Sequence, residues 1–317
     1  MPDGDHTKED APDRTTLAVF LVLVLVAGGN AVVIRSISCA TCELDPFWSA
    51  ATRFLPAALI FAVIARLVHA DMPRGRALAG AVLYGVLQFG AGFGLVYWGF
   101  VRTPAGRGQV LLACVPLITF GLAVAQRQER FRWEGLVGAA LAVAGMAVVF
   151  GNGLDSGVPT SSMVAIVLGG VCWAEAFIVV KGFPPVHPAA MNAVGMGVGS
   201  VILLTASAVA GEAHVVPKEA SVWLGQSYLV LAGSVGVFWL FVIVLRRWSA
   251  SAASYQLVLL PLVTVTLSAW LEDERITWAF AAGSVLVIAG VYIGALRRPS
   301  GEPVVAGSPG RASPTER

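Results

Sequence analysis

Ten long apolar segments, separated by short polar stretches, run along this sequence. They are 18 to 25 residues long: Thr16 to Ile34, Phe47 to Ala65, Ala77 to Phe100, Ala105 to Ala125, Trp133 to Phe150, Met163 to Val180, Pro188 to Ala210, Ser221 to Leu245, Ala250 to Leu271 and Thr277 to Leu296. About 20 apolar residues in a helix cross the hydrocarbon core of a bilayer once. None of the segments alternates polar with apolar residues, which excludes membrane strands. The pattern predicts an all-α, polytopic membrane protein with ten transmembrane helices.

Composition supports a membrane location. Hydrophobic residues make up 57% of the chain, charged residues only 13%, and the mean hydropathy is +0.78, beyond the range of soluble domains. The tails, residues 1–15 and 297–317, lack apolar periodicity and are predicted to be disordered. The first apolar segment is long and has an acidic flank, so we expect no cleavable signal peptide. We expect a multi-pass protein of the cell membrane, surrounded by lipid and without a nucleic-acid partner.

The second half of the chain repeats the first at an offset of 145 residues. Between residues 105–150 and 250–295 there are thirteen identities in 46 positions. The first-half members are Ala105, Leu112, Pro116, Leu117, Thr119, Leu122, Glu129, Arg130, Trp133, Gly138, Leu141, Ala144 and Gly145. Proline, Glu-Arg and tryptophan are the informative matches, because apolar residues coincide by chance in such a chain. The pattern indicates a duplication into two five-helix units, 16–150 and 163–296.

The distribution of Lys and Arg predicts the orientation. If the chain starts inside the cell, thirteen basic residues of the loops and tails lie in the cytoplasm: Lys8, Arg14, Arg66, Arg74, Arg76, Arg127, Arg130, Arg132, Lys181, Arg246, Arg247, Arg297 and Arg298. Five lie outside: Arg35, Arg102, Arg107, Lys218 and Arg275. Both termini are therefore expected in the cytoplasm. Five crossings per unit is an odd number, so the second unit is inverted, an architecture typical of secondary transporters.

Several short motifs are similar to those of a known family. They are Gly28-Gly29-Asn30, Arg53-Phe54, Thr103 to Arg107, and Pro116 with Glu129-Arg130 and Gly145, echoed by Pro261, Glu274-Arg275 and Gly290. Over about residues 16–296 the chain resembles the drug/metabolite transporter superfamily with its two EamA-type repeats. The first segment lacks the Trp that often precedes the Gly-rich stretch in that family. The resemblance implies carriage of amino acids, nucleosides, drugs or other metabolites, without naming a substrate.

Glu175 is a carboxyl group well inside an apolar segment, where burying a charge is costly. At the offset of 145 it falls on Asn30, the polar residue inside the first segment. Two interpretations stay open. Glu175 either binds and releases a coupling proton, or is a neutral hydrogen-bonding group between helices.

Arg53 and Asn30 lie roughly 9 and 6 Å below the same end of their helices, at a rise of 1.5 Å per residue, so we expect them to approach each other. Arg53 either neutralises an anionic group of a substrate or holds backbone carbonyls at a helix break. The second role is favoured, because Arg53-Phe54 resembles a feature of the whole family.

Amide and aromatic groups inside other segments are candidates for lining a substrate cavity. They are Gln88, Trp173, Trp239, Tyr255 and Gln256. A mostly apolar cavity with a few amides suits a metabolite that carries a ring and polar groups. The alternative for aromatic residues is the interfacial aromatic belt, and for Trp173, Trp239 and Tyr255 cavity lining stays open.

Cysteine and histidine add little chemistry. Cys39 and Cys42 form a lone Cys-x-x-Cys in the first predicted outer loop, and a disulfide, an unpaired dithiol and a metal or redox role all stay open. All four histidines lie in tails, loops or segment ends. No base or ligand of that kind is placed in the bilayer interior, so neither an enzyme nor a cofactor is predicted.

The sequence thus predicts a secondary exporter of a small organic metabolite or drug that works by alternating access. Proton coupling, the direction of transport and a homodimeric state stay open. The alternative is a membrane sensor or scaffold that uses the same bundle without transport.

Overall fold

The computed structural model describes residues 14–41, 44–103, 105–150, 159–271 and 277–296. Regular structure within these ranges is helical throughout, and none of these residues forms a strand. The helices are α1 Arg14–Thr41, α2 Pro46–Leu67, α3 Arg76–Phe100, α4 in two pieces Ala105–Leu112 and Val115–Ala125, α5 Trp133–Phe150, α6 Thr160–Gly182, α7 Pro188–Ala210, α8 Ala220–Arg247, α9 in two pieces Ala250–Ser254 and Gln256–Leu271, and α10 Trp278–Leu296. The all-helical prediction is confirmed. The predicted tails lie outside the described residues, except for residues 14 and 15, which begin α1.

Eight helices of the described chain are long and apolar enough to cross a membrane, namely α2 to α4 and α6 to α10. The remaining two, α1 and α5, contain the shorter apolar stretches Arg14–Asn30 and Trp133–Val149. The largest departure from the predicted boundaries is in α1, which continues to Thr41 and so carries the backbone of Cys39. The Cys39 side chain and the whole of Cys42 lie outside what the structure describes.

Helix α2 illustrates how a membrane helix divides its surface. Leu55, Leu59 and Val63 are exposed at a spacing of four residues, while Phe54 and Phe61 are buried on the opposite side. The exposed stripe suits lipid tails, since large apolar side chains cost nothing there. The buried face packs more extensively against α7 than against any other described helix.

Helix contacts follow the duplication. Helix α2 packs against α7 and α5 against α10, each pair being five helices apart. Helix α6 packs against α3 and α4, and α1 correspondingly packs against α8 and α9. Exchanging every helix with the one five places later maps these contacts onto each other.

Glycines allow a close crossing of α5 and α10. A Cβ atom on Gly138 would lie 2.7 Å from the carbonyl oxygen of Gly290, and one on Gly145 would lie 2.7 Å from that of Gly283. Only glycine permits so close an approach of two backbones. The pairing runs in opposite directions along the two helices, so α5 and α10 are antiparallel.

The helix ends gather into two groups. The end that we call the basic end holds the start of α1 and the loops α2–α3, α4–α5, α6–α7 and α8–α9. There Arg247 Nη1 donates to Thr16 Oγ1 at 3.2 Å. At the opposite end, Glu212 accepts the backbone N–H groups of Phe47 and Trp48 at 3.1 and 2.8 Å, and Asp45 accepts that of Ala213 at 2.8 Å. These bonds join the first half of the chain to the second at both ends.

Candidate functional site

Two helices widen into π-helical turns near their centres, α3 at Gly85–Gly92 and α8 at Leu231–Gly236. Gln88 in the first segment falls on Gly233 in the second at the offset of 145. A π-helical turn disturbs the regular hydrogen-bond ladder and is frequent at functional sites. Both segments are rich in glycine, which tolerates the close approach of neighbours.

The Gly233 carbonyl accepts two side-chain donors from the first half of the chain. Arg53 Nη2 lies at 2.8 Å from this oxygen and Asn30 Nδ2 at 3.4 Å. Arg53 Nε also donates to Ser234 Oγ at 2.8 Å, and Nη1 lies 3.5 Å from Tyr97 Oη. Arg53 is 4% exposed, and three of its five N–H donors bond neutral oxygens. The predicted approach of Arg53 and Asn30 therefore occurs through a shared backbone acceptor.

The Gln88 carbonyl accepts a donor from the second half. Trp173 Nε1 of α6 lies 3.1 Å from this oxygen, and both residues are buried. Among the described groups, the side-chain oxygens Gln88 Oε1 and Asn30 Oδ1 are buried and accept no hydrogen bond. A third π-helical segment, Tyr292–Leu296, ends α10. The two segments near the helix centres are each tied to the other half of the chain, and each has an unused amide acceptor beside it.

An aromatic cluster lies beside the two segments and includes Phe89 of the first. It consists of Phe54, Phe89, Phe93 and Phe238. Phe93 and Phe238 are equivalent at the offset of 145, and their ring centroids are 6.0 Å apart at an interplanar angle of 68°. Trp173 packs edge-on against Phe93 at 4.9 Å. The centre of the bundle is therefore apolar, with hydrogen-bonding groups at two sides.

Glu175 lies elsewhere. Its two carboxylate oxygens are 2.9 and 2.7 Å from Gln126 Nε2, which donates from the residue that follows α4 near the basic end. Glu175 as a residue is half-buried, and its hydrogen bonds to Gln126 lie at an exposed position. The structure therefore brings Glu175 to the neutral side-chain amide of the residue that follows α4, and does not bring it to Asn30.

Three further predicted residues also lie away from the central cluster. The Trp239 ring is parallel to that of Phe61, 6.2 Å away, and contacts His187 edge-on at 5.8 Å, toward the basic end. Tyr255 belongs to a separate core between α4, α5, α9 and α10, where its hydroxyl lies 3.4 Å from the Gly135 carbonyl. Gln256 is buried beside it, at the start of the second piece of α9.

Comparison with known proteins places the chain in a family. Residues 14–151 and 160–295 each match the EamA-like transporter family. The chain belongs to this family. The two matched stretches correspond closely to the two halves seen in the sequence and agree with the predicted resemblance.

Relatives of this EamA-family chain include transporters of bacterial membranes. It is 30% identical over 269 residues to the uncharacterized inner membrane transporter YedA of Escherichia coli K12, covering 82% of this chain and 86% of that one. It is 29% identical over 265 residues to a probable terminal-alkyne amino-acid exporter of Streptantibioticus cattleyicolor, covering 82% and 87%. It is 25% identical over 285 residues to a probable amino-acid metabolite efflux pump of Salmonella typhimurium, covering 86% and 92%.

A solved crystal structure shares the fold of this EamA-family chain, with a TM-score of 0.75 at 16% identity, covering 89% of this chain and 96% of the other. Together with the apolar helices, the relatives identify the chain as a multi-pass transporter of the cell membrane.

Sequence reasoning missed two polar contacts of this EamA-family chain. Nothing in the sequence marks Gln126, because an amide beside a loop carries no signal of its partner. Glu129 is recognisable in the sequence only as part of a repeated motif. Its carboxylate accepts the backbone N–H of Ser251 at 3.0 Å and also bonds Ser251 Oγ, at the N-terminus of α9. The repeated Glu-Arg pair at a loop is the sequence feature that could have predicted this contact between Glu129 and the start of α9.

Proposed function

We propose that the protein is a secondary exporter of a small organic metabolite and works by alternating access between two inverted five-helix repeats. The observation that carries the proposal is the pair of π-helical segments at equivalent positions, each bound through a backbone carbonyl to the other half. In transporters with inverted repeats, substrate sites lie near the bilayer midplane where helices are irregular. The antiparallel contact of α5 with α10 supports the inversion, since these two helices are equivalent in the duplication.

The proposed substrate site is the aromatic cluster with its two flanks. Phe93 and Phe238 would contact an apolar or aromatic part of the substrate. Asn30 Oδ1 and Gln88 Oε1 are unused acceptors for its N–H or O–H groups. Since buried polar groups normally have partners, a substrate that donates to them would be bound in preference to a fully apolar one.

The names of the relatives suggest a substrate class. Two of them are named as exporters of an amino acid or an amino-acid metabolite. We extend that class to this protein as a proposal. An α-amino group would suit the amide acceptors, and Arg53, with three of its five N–H donors bonded to protein oxygens, has donors left for a carboxylate.

Proton coupling through Glu175 is part of the proposal. In the structure both oxygens of its carboxylate accept from the Gln126 side-chain amide. Protonation would weaken this bond, and opening of the basic end would then separate α6 from the end of α4. The proposed orientation puts the basic end in the cytoplasm, from the excess of Lys and Arg there.

The test is transport by the full chain in sealed proteoliposomes. A panel of radiolabelled amino acids and amino-acid derivatives would be offered with and without a pH gradient. We expect saturable uptake of at least one compound that has both an amino group and an apolar side chain. Lack of transport of every compound, in vesicles where the protein is folded, would contradict the proposed class.

The inverted arrangement has a separate test. Reporter fusions after Arg247 and at Arg298 should report the cytoplasm, and a fusion at Asp155 should report the outside. A cytoplasmic result at Asp155 would contradict the proposed inversion of the second repeat, while the family membership would still hold.

A further inference from the structure

A cavity lies at the basic end, away from the aromatic cluster. Its volume is about 190 Å³, and it lies between the starts of α3 and α7 and the ends of α6 and α8. Most of its lining is apolar, contributed among others by Ala81, Phe183, Met191 and Val242. The volume has room for about six water-sized groups, which suits part of a molecule such as a phosphate with neighbouring carbons.

Two cations line this apolar cavity, Lys181 of α6 and Arg246 of α8. Lys181 Nζ donates to the Arg246 carbonyl at 3.3 Å, which holds the ammonium beside the last turn of α8 and leaves two of its three N–H donors. None of the lining residues is acidic. The nearby carboxylate of Glu129 bonds Ser251 through both oxygens. The cavity therefore combines apolar walls with two positive charges that the described lining does not neutralise.

The depth of the cavity suits the membrane interface. Lys181 and Arg246 stand in the last turns of the spans that end at Gly182 and Arg247. On α3, Ala77 and Ala81 line the cavity, while the adjacent Leu78 and Val82 are exposed on an apolar surface. The cavity is thus next to a lipid-facing surface at the level of the headgroups.

We propose that this cavity binds the phosphate headgroup of an anionic phospholipid, with the glycerol and first acyl carbons against its apolar wall. Basic pockets between transmembrane helices on the cytoplasmic side are suited to anionic lipid headgroups. A zwitterionic lipid gains less there, because its own ammonium competes with the two cations. The lipid would hold the ends of α6 and α8 together. This site does not depend on the proposed substrate or on proton coupling.

The experiment measures thermal unfolding of the purified full chain in detergent as phosphatidylglycerol or phosphatidylcholine is added. We expect phosphatidylglycerol to raise the unfolding temperature and phosphatidylcholine to have a much smaller effect. In the double variant Lys181→Gln/Arg246→Gln, the phosphatidylglycerol concentration for half the effect should rise roughly tenfold or more. Arg247→Gln is the matched control, because it removes a neighbouring charge that contacts Thr16. It should respond to the lipid like the parent chain.

Glycerol phosphate separates a lipid from a free anion. It carries the same phosphate without acyl chains, and we expect no stabilisation at the lipid concentrations used. An equal effect of glycerol phosphate would overturn the lipid proposal in favour of a soluble anion. An unchanged lipid response in the double variant would overturn the site itself.

If the double variant does not fold, a second measurement on the parent chain still tests the proposal. Phosphatidylglycerol with a photoreactive group near the glycerol should label peptides that contain Phe183 or Val242. Label found only on other helices would also overturn the proposal.

Discussion

The two π-helical segments stand at equivalent places in the duplicated chain, but different groups hold them. In α8, the Gly233 carbonyl accepts from the guanidinium of Arg53 and the amide of Asn30. In α3, the Gln88 carbonyl accepts from one neutral indole, that of Trp173. Hydrogen bonds from ionised donors are roughly twice as strong as neutral ones. In both repeats a backbone carbonyl at the equivalent position is the acceptor, but the side chains that donate to it differ. Because the donor in α8 is ionised, we expect the α8 segment to be held more firmly than the α3 segment.

The equivalent residues Asn30 and Glu175 extend this difference. Asn30 reaches the π-helical segment of α8, whereas Glu175 accepts from Gln126 near the basic end. On α6, the contact to the opposite π-helical segment is made two residues earlier, by Trp173. The Glu175 carboxylate bonds Gln126 instead, and we propose that it binds the coupling proton.

Arg53→Ala should have the largest effect on the difference between the two π-helical segments. The substitution removes the ionised donor from Gly233 and Ser234, and we expect the free energy of unfolding to fall by about 3 kcal/mol and transport to fall more than tenfold. Arg53→Lys keeps the charge without the planar fork and should give an intermediate result. Thermal unfolding and proteoliposome transport measure both effects. Arg102→Ala, at an exposed arginine, is the control, and a loss as large there would make the effect unspecific.

Glu175→Gln tests the second difference. The amide resembles a protonated carboxyl and carries no charge, so we expect accumulation driven by a pH gradient to disappear while substrate exchange continues. Gln126→Leu is the matched variant, because it removes the partner and keeps the carboxylate, and driven accumulation should survive in it. Full accumulation by Glu175→Gln would leave this carboxyl a structural role only.

Trp173→Phe weakens the neutral contact of the α3 segment. The ring can still pack against Phe93, but the N–H donor to Gln88 is lost, at a cost of about 1 kcal/mol. We expect a change in transport of about fivefold, measured as initial rate in proteoliposomes. Trp223→Phe loses a similar indole bond, to Pro217 on an exposed part of the chain, and should be neutral. A loss for Trp173→Phe as large as that for Arg53→Ala would refute the difference in strength between the two segments.

Ser234→Ala should have the smallest effect. It removes one acceptor of Arg53, while the bond from Arg53 to Gly233 remains. Single side-chain hydrogen bonds in membrane proteins contribute about 0.6 kcal/mol on average, so transport should stay within about threefold of the parent. Ser200→Ala removes a bond within its own helix, to Met196, and serves as a control of equal size. A tenfold loss in Ser234→Ala alone would show that the hydroxyl, more than the Gly233 carbonyl, positions Arg53.

The helical class, the approximate bounds of most of the apolar helices and the duplication are predictable from the amino-acid pattern. The physical reason is that lipid offers no hydrogen bonds to the backbone, so a long apolar segment must form a helix. A rare residue such as Trp133 recurs at Trp278 whatever the packing, and the shared spacing is therefore visible without a structure. The approach of Arg53 to Asn30 was predictable from depth alone, because helical rise is constant.

The tertiary structure decided which groups meet. Arg53 and Gly233 are 180 residues apart, and Trp173 and Gln88 are 85 apart, so their contacts depend on how the helices are rotated and packed. A π-helical turn shifts the direction of every following side chain, and no local pattern predicted the two segments. For the same reason Tyr255, a polar residue between the two apolar pieces of α9, lies in a separate core and not at the aromatic cluster. Polarity marks a residue as unusual in a membrane helix, and only the packing of neighbouring helices decides whether it faces a substrate path, another backbone or a loop.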